Sequence, residues 1–307
     1  MSQIRIGISG WRYAPWRKDF YPEGLPQARE LAFASRAVSS IEINGSFYSL
    51  QTPERYANWR DDTPDDFVFS VKAPRYITHV RRLKDIEEPM ANFFASGLLD
   101  LGDKLGPILW QFPPSMKFDE ERFAHFLQLL PTTWTAAGRC ARQCAERLKH
   151  NRIPRANGRS RLRHAVEIRH DSFLCDAFIT LLRKHKVALV VADTAGKWPY
   201  VEELTSDFLY LRLHGDAELY SSGYTPAALQ RWARRIEKWS HGGQPADAHR
   251  VIKRAPVPRK SRDIYCYFDN DLKVRAPYDA RRLLERLGLD KGLQTEPGVA
   301  PGMELQQ

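Results

Sequence analysis

Charged side chains in this sequence stand at alternate positions inside short apolar runs, where charge is costly. Glu42 and Asn44 alternate with Ile41 and Ile43, and Glu167 and Arg169 with Val166 and Ile168. Tyr210, Arg212 and His214 alternate in the same way with Leu209, Leu211 and Leu213. Ser70 and Lys72 in FSVKA, Gln111 in ILWQF, Asp193 in VVAD, and Tyr267 and Asp269 in YCYFD extend the series. If each run is a strand, side chains alternate across it, and these polar groups share one face. Buried charges must neutralise one another or meet a ligand, because an isolated one costs several kcal/mol. Glu42, Glu167, Asp193 and Asp269 supply negative charge, and Lys72, Arg169 and Arg212 supply positive charge.

The leading reading is an enzyme site for a small polar or anionic ligand, sugar-like or phosphate-bearing. Lys72, Arg169 and Arg212 would hold negative charge, while Glu42, Glu167 or His214 moves protons. The alternative for the same residues is an internal salt-bridge network. Lys72, between Val71 and Ala73, reads first as a counter-charge and secondly as a lysine able to form a Schiff base with a carbonyl substrate. His214 stands beside Gly215 and titrates near neutrality unless its environment intervenes. No cofactor is expected on this reading. On the alternative, a divalent metal would be held by Glu167, Asp193, His214 and Asp269, with His79 and His170 joining from loops. Three cations competing for those carboxylates argue against it. Aromatic residues gather after the first run (Trp11, Tyr13, Trp16, Phe20, Tyr21), after the second (Phe47, Tyr48) and after the seventh (Tyr220, Tyr224). Such rings stack on a sugar or base face, or plug a cavity mouth. Gly-rich phosphate loops are absent from the positions that would give them meaning.

The elements that must position these groups come next. Eight runs rich in β-branched and aromatic residues occur at 4–9, 39–44, 67–73, 107–112, 164–169, 187–193, 208–214 and 263–269. Helical patterns lie between most of them, at 26–37, 53–62, 87–104, 119–130, 172–186 and 226–240, with 276–288 closing the series. Thr52 before Pro53 and Thr225 before Pro226 read as helix caps, and Asp171 or Ser172 would cap the fifth helix. Residues 194–206 leave room only for a short helix. Eight alternating strands and helices predict an α/β fold, a single-domain (β/α)8 TIM barrel over residues 1–289, with 290–307 as a flexible tail. Chemistry in such a barrel belongs at the C-terminal ends of the strands, where the polar series lies.

Four cysteines, Cys140, Cys144, Cys175 and Cys266, lack zinc-type spacing and are expected to be reduced thiols. No stretch approaches the ~18 apolar residues of a membrane span, and Met1 leads straight into a strand-like run, so the expected compartment is the cytoplasm. The formal charge of +10 is concentrated: residues 139–163 hold nine Lys or Arg against one acid, and 250–262 hold six against none. Irregular Gly-, Pro- and Arg-rich insertions at 151–162 and 242–262, which overlap these basic stretches and precede the fifth and eighth strands, are expected on the barrel face opposite the chemistry. A non-enzymatic, nucleic-acid-associated role through them is possible on charge alone but is not favoured.

The strand ends also form an ordered series of motifs: GISGW at 7–11, FYP at 20–22, EINGSFY at 42–48, FSVKAP at 69–74 with Thr78-His79, and GPILWQFPPS at 106–115. VEIRH at 166–170, YLRLHG at 210–215 and YFDND at 267–271 complete it. In these residues the chain resembles the YecE-like family, domain of unknown function family 72, over nearly its whole length. The resemblance implies a TIM barrel related in architecture to sugar isomerases and to metal-dependent endonucleases of abasic DNA. It implies motif roles for Ser9, Trp11, Glu42, Asn44, Lys72, His79, Gln111, Glu167, Arg169, His170, Asp193, Arg212, His214, Asp269, Asn270 and Asp271. Tyr48 joins the candidate binding residues from its place after the second run. The chain departs from the family pattern at Ser46, where Thr is usual, and in its longer connections before the fifth and eighth strands, so the basic insertions inherit no family role.

Overall fold

In the computed structural model, which describes residues 2–151 and 161–299, the eight runs form parallel strands that close into one barrel in sequence order. They are β1 (Ile4–Ser9), β2 (Ser40–Ile43), β3 (Val68–Lys72), β4 (Leu105–Gln111), β5 (His164–Glu167), β6 (Ala188–Asp193), β7 (Phe208–Leu213) and β8 (Asp263–Phe268). Pairing of β1 with β8, from Ile4 opposite Ile264 to Ile8 opposite Phe268, shuts the ring and removes both sheet edges. Closure depends on close backbone approach at Gly7, where an added Cβ would stand 1.8 Å from the Ser40 carbonyl oxygen.

The main helices are α1 (Glu30–Ala37), α2 (Gly45–Tyr48), α3 (Pro53–Asp61), α4 (Glu87–Ala95), α5 (Glu120–Leu129), α6 (Trp134–Ala141), α7 (Asp176–His185), α8 (Pro226–Ser240) and α9 (Arg275–Arg286). Thr52 and Thr225 cap α3 and α8, accepting from the Arg55 and Ala228 amides. Five expectations need correction. The pattern at 87–104 is not one helix: α4 ends before Gly97, whose φ of 105° only glycine adopts freely. Neither Asp171 nor Ser172 caps α7, which starts after Cys175. Ser172 Oγ instead accepts from the Phe118 amide.

No helix forms among residues 194–206. Glu202 and Glu203 are buried there, and their carboxylates accept from the amides of His249, Val251 and Ile252 while pairing with Arg235 and Arg183. The 242–262 insertion is irregular as expected, yet it is pinned rather than loose. The tail is likewise tied down through residue 299: Gln294 and Thr295 amides donate to the Arg36 carbonyl, and the Gly298 amide to that of Phe20. The short α2 and α6, and a π-helical turn at Tyr76–Val80, were not anticipated.

Apolar residues fill the barrel in two separate bodies. One lies between strands and helices, and the other, with Leu109, Ala165, Ala188, Val190, Ala192, Phe208, Tyr210, Tyr265 and Tyr267, fills the lower interior. The polar series sits above this interior plug. Because Ala188, Val190 and Ala192 point inward, Asp193 points outward, the fifth correction. Its carboxylate accepts from the Tyr224 hydroxyl at 3.0 Å on the helix side of the sheet. Among the described residues no helix is long and apolar enough to cross a membrane.

Candidate active site

Arg212 stands at the centre of the strand-end array and is fully buried. Its guanidinium donates to both oxygens of Glu42 at 3.1 and 2.9 Å, to Glu167 Oε2 at 2.8 Å, to Asp269 Oδ2 at 2.7 Å and to Ser9 Oγ at 3.1 Å. Glu42 accepts further from Ser9 Oγ and the Tyr210 hydroxyl, and Glu167 from Gln111 Nε2 and Arg169 Nε. His214, also fully buried, brings Nδ1 to 3.0 Å from Asp269 Oδ2. Burial by itself would raise the Glu167 carboxyl, but Arg212 and then Arg169 outweigh it and hold it far below the carboxylate range. Asp269 is depressed in the same way: burial opposes ionisation, and Arg212 and His214 overcome it.

Above this sealed floor opens a cavity of about 710 Å³. Its wall includes Tyr13, Asn44, Phe47, Tyr48, Lys72, Arg75, His79, Gln111, Arg169, Tyr220, Asp269 and Asp271. Lys72 projects from the end of β3 and is nearly buried. Among the described residues its amine has no hydrogen bond or ion pair, only the Phe47 ring 4.4 Å from Nζ. Burial, followed by the nearby Arg212 charge, lowers its pKa to about 8 against the opposing pull of Glu42, Asp269 and Glu167. The π-helical turn carries His79, whose Nδ1 lies 2.8 Å from Thr78 Oγ1. Burial and then Lys72, Arg169 and Arg75 bring His79 down to about 4, so the imidazole is neutral at physiological pH.

Asp271 shows the opposite displacement. Burial first, and the Asp269 charge second, push its carboxyl well above the usual range. Asn44 donates to Ser9 Oγ at 3.0 Å, while its Oδ1 is buried without a partner. Tyr220, held at a left-handed φ of 64°, sets its ring edge-on to His214 at the far wall. Carboxylates committed to Arg212, a carboxyl raised above the usual range, an imidazole lowered to about 4 and an unpaired amine thus share one mouth.

The family signature described as "Protein of unknown function DUF72" matches residues 5–302. The chain belongs to that family. It is 30% identical over 127 residues to the UPF0759 protein YunF of Bacillus subtilis, which covers 40% of this chain and 44% of YunF. It is 30% identical over 129 residues to the UPF0759 protein YecE of Escherichia coli, covering 42% and 44%. The matched segment is therefore less than half the length of these curated relatives. A DUF72 family protein of Thermotoga maritima shares the fold at a TM-score of 0.68 and 24% identity, over 93% of this chain and 99% of the other. One from Enterococcus faecalis does so at 0.64 and 16%, over 94% and 99%.

Of the residues singled out from sequence, Asn44, Tyr48, Lys72, His79, Gln111, Arg169 and Asp269 line the cavity of this DUF72 barrel. Glu42 and Glu167, expected to move protons, and Arg212, expected to touch the ligand, lie in the floor with their polar atoms bonded to one another. Ser9 and His214 are buried in the same layer. Trp11 packs edge-on against Trp59 in the hydrophobic core. His170 accepts from the Ser172 amide, and Asn270 joins Ser222 to Asp279, so both serve loop geometry. Sequence reasoning missed Arg75 as a site residue and carried Asp271 only through the YFDND motif. Tyr13 and Tyr220 were legible only as members of aromatic clusters.

The four residues named for the metal alternative do not form one free donor set. Asp193 faces away, Glu167 and Asp269 are clamped to a guanidinium, and among the described residues no group of three or more His, Cys, Asp or Glu side chains is arranged to hold a metal ion. The basic segments also divide. Arg183 holds the Arg254 and Ala255 carbonyls, whereas Arg147 reaches a second cavity of about 510 Å³ beside Tyr48, Tyr76 and Arg81 on the mouth side. Residues 152–160 of the first insertion lie outside the described residues.

Proposed function

We propose that this DUF72 barrel is an enzyme that draws a small anionic ligand, a carboxylate or phosphate ester of sugar-like size, into the mouth cavity and moves protons on it. The observation that carries the reading is the state of the cavity's cations. Lys72 and Arg75 line it with no carboxylate partner among the described residues, because the neighbouring carboxylates are committed to Arg212. Arg169 adds a third positive charge, its guanidinium 3.6 Å from the Trp198 ring centroid. A cavity of about 710 Å³ lies within the ordinary range for small-molecule sites. The unpartnered Asn44 Oδ1 would accept from a ligand hydroxyl, and the edge of Tyr48 would pack on its apolar face. Asp271, whose carboxyl is raised well above the usual range by burial and the Asp269 charge, would serve as general acid, and His79, lowered to about 4, as hydrogen-bond partner.

Calorimetric titration of the chain with inorganic phosphate, glucose 6-phosphate and glucose tests this. Both anions should bind with an affinity that falls as salt rises, glucose should bind far more weakly, and Lys72→Met should weaken anion binding at least about tenfold. Equal binding of glucose and its phosphate, or an unchanged affinity in Lys72→Met, overturns the reading.

A further inference from the structure

We propose, resting on the anion-binding reading, that Lys72 is a covalent group: its Nζ condenses with the carbonyl carbon of a small keto or aldehyde acid, or sugar phosphate, to form an imine. The geometry is that of a nucleophile rather than of a structural ion pair. A buried lysine normally gains a carboxylate partner, because the cost of its charge is otherwise uncompensated. Lys72 has three carboxylates in the layer around it, Glu42, Glu167 and Asp269, and none of them contacts it. Each is bonded to Arg212 instead. The amine is left facing the cavity against the apolar Phe47 ring, with Arg75 and Arg169 on the same wall to hold an anionic substituent of the substrate.

Protonation supports the same role. The groups that face Lys72 are Arg212 from β7, Glu42 from β2, Glu167 from β5, Asp269 beyond β8 and His79 from the π-helical turn. With burial the largest influence, the pKa of about 8 leaves about a quarter of the amines neutral at pH 7.5, against about one in a thousand for an ordinary lysine. The neutral amine is the nucleophile.

The step balances with groups already in the cavity. Nζ attacks the carbonyl carbon and passes one proton to the carbonyl oxygen, giving a carbinolamine. Asp271 donates its proton to that hydroxyl, the C–O bond breaks, water leaves, and a positively charged iminium forms beside the new Asp271 carboxylate. The iminium withdraws electrons from the adjacent carbon, and the Asp271 carboxylate takes a proton from that carbon to leave a neutral enamine. Asp271 ends protonated, as it began. No oxidant, reductant or metal enters the sequence. Bonds to the carbon beside a carbonyl are the ones such a site makes or breaks.

The test is reductive trapping of the full chain. Glyoxylate, pyruvate and glyceraldehyde 3-phosphate are each supplied with sodium cyanoborohydride, and the product is read by intact mass and peptide mapping. A single adduct on the Lys72 peptide is expected from at least one probe, with a rate that climbs with pH around a midpoint near 8. Lys72→Met and Lys72→Arg should both give none, although Lys72→Arg keeps the charge and should bind phosphate nearly as well as the parent. Asp271→Asn should slow trapping at least about tenfold without abolishing phosphate binding. Thermal melting establishes that each variant is folded before it is scored. Adducts spread over surface lysines at equal rates in the parent and Lys72→Met overturn the proposal. Phosphate binding without trapping by any of the three probes also overturns it and leaves the anion-binding reading standing. Failure of both overturns both.

Discussion

Replacing Arg212 by Met tests the claim that the Glu167 and Asp269 carboxyls are held below the usual range by one buried guanidinium. Arg212 donates to Glu42, Glu167 and Asp269 within a layer whose other nearby cations are Lys72 and Arg169. Three carboxylates facing three cations become three facing two, so the folded variant must take up one proton or bury an uncompensated charge. Protonating an ordinary carboxyl at pH 7.5 costs about 1.4 kcal/mol for each of the roughly three pH units above its pKa, hence about 4 kcal/mol. The same figure follows from the usual cost of about 3–5 kcal/mol for breaking a buried ion pair.

The pH dependence is more discriminating than the magnitude. Glu167 and Asp269 have folded pKa values depressed below their unfolded ones, so in the parent their stabilisation is present above about pH 4 and lost as pH falls through the folded values. In Arg212→Met one carboxyl acquires a folded pKa above its unfolded one. Its folded state then binds the extra proton, and stability is lost as pH rises. The gap between parent and variant should therefore widen by about 1.4 kcal/mol per pH unit between about pH 5 and 7.5. Urea unfolding followed by far-ultraviolet circular dichroism at several pH values measures this. A cost under about 1 kcal/mol at pH 7.5, or a gap indifferent to pH, would refute the reasoning.

Asp271→Asn should behave in the opposite sense: the folded carboxyl pKa is raised, so its ionisation opposes folding above about pH 4, and melting curves should show the variant gaining on the parent as pH rises to 8. Equal pH profiles would show that Asp271 is not held protonated. Glu203→Ala removes the buried acceptor for Val251 and Ile252 and the partner of Arg183, so stability should fall by about 3 kcal/mol. Limited proteolysis should then cut first within 250–262, and an unchanged cleavage pattern would mean that the insertion is held by other contacts.

The barrel was legible because its strands announce themselves twice, by β-branched residues and by polar residues breaking the apolar run at alternate positions. In β2, β5 and β7 the interruptions fix which side chains face inward, and Glu42, Glu167 and Arg212 meet accordingly. The ALVVAD run of β6 carries no such break. Both of its faces are apolar, one packing into the barrel and the other under the helices, so period two leaves its parity open, and Asp193 was turned inward merely because it is charged. Beyond the last strand residue the chain direction follows loop geometry rather than period. Arg75 and Asp271 enter the cavity from such turns, and nothing in their spacing from Lys72 or Asp269 says so. Burial was equally hidden. Alternation shows that Glu42 and Glu167 share a face with Arg212, but not that the contact consumes their polar atoms and removes them from the ligand's reach.

That consumption gives the floor its effect on the cavity above it. Carboxylates bonded to Arg212 cannot swing upward to neutralise Lys72, so the amine stays unpaired, and the Arg212 charge further favours its neutral form. The same guanidinium holds the Asp269 carboxyl below the usual range, and the Asp269 charge, added to burial, raises that of the neighbouring Asp271. Burial and the Arg212 charge thus lower Lys72, while burial and the Asp269 charge raise Asp271 against the direct pull of Arg212, so the two cavity groups shift in opposite directions. In bulk water a lysine and an aspartate would reach the reverse arrangement, ammonium and carboxylate, and neither could attack a carbonyl or protonate its oxygen at neutral pH. The inversion requires a water-poor floor whose charges cannot rearrange, and the buried ion pairs of Arg212 lie beneath the cavity rather than within it.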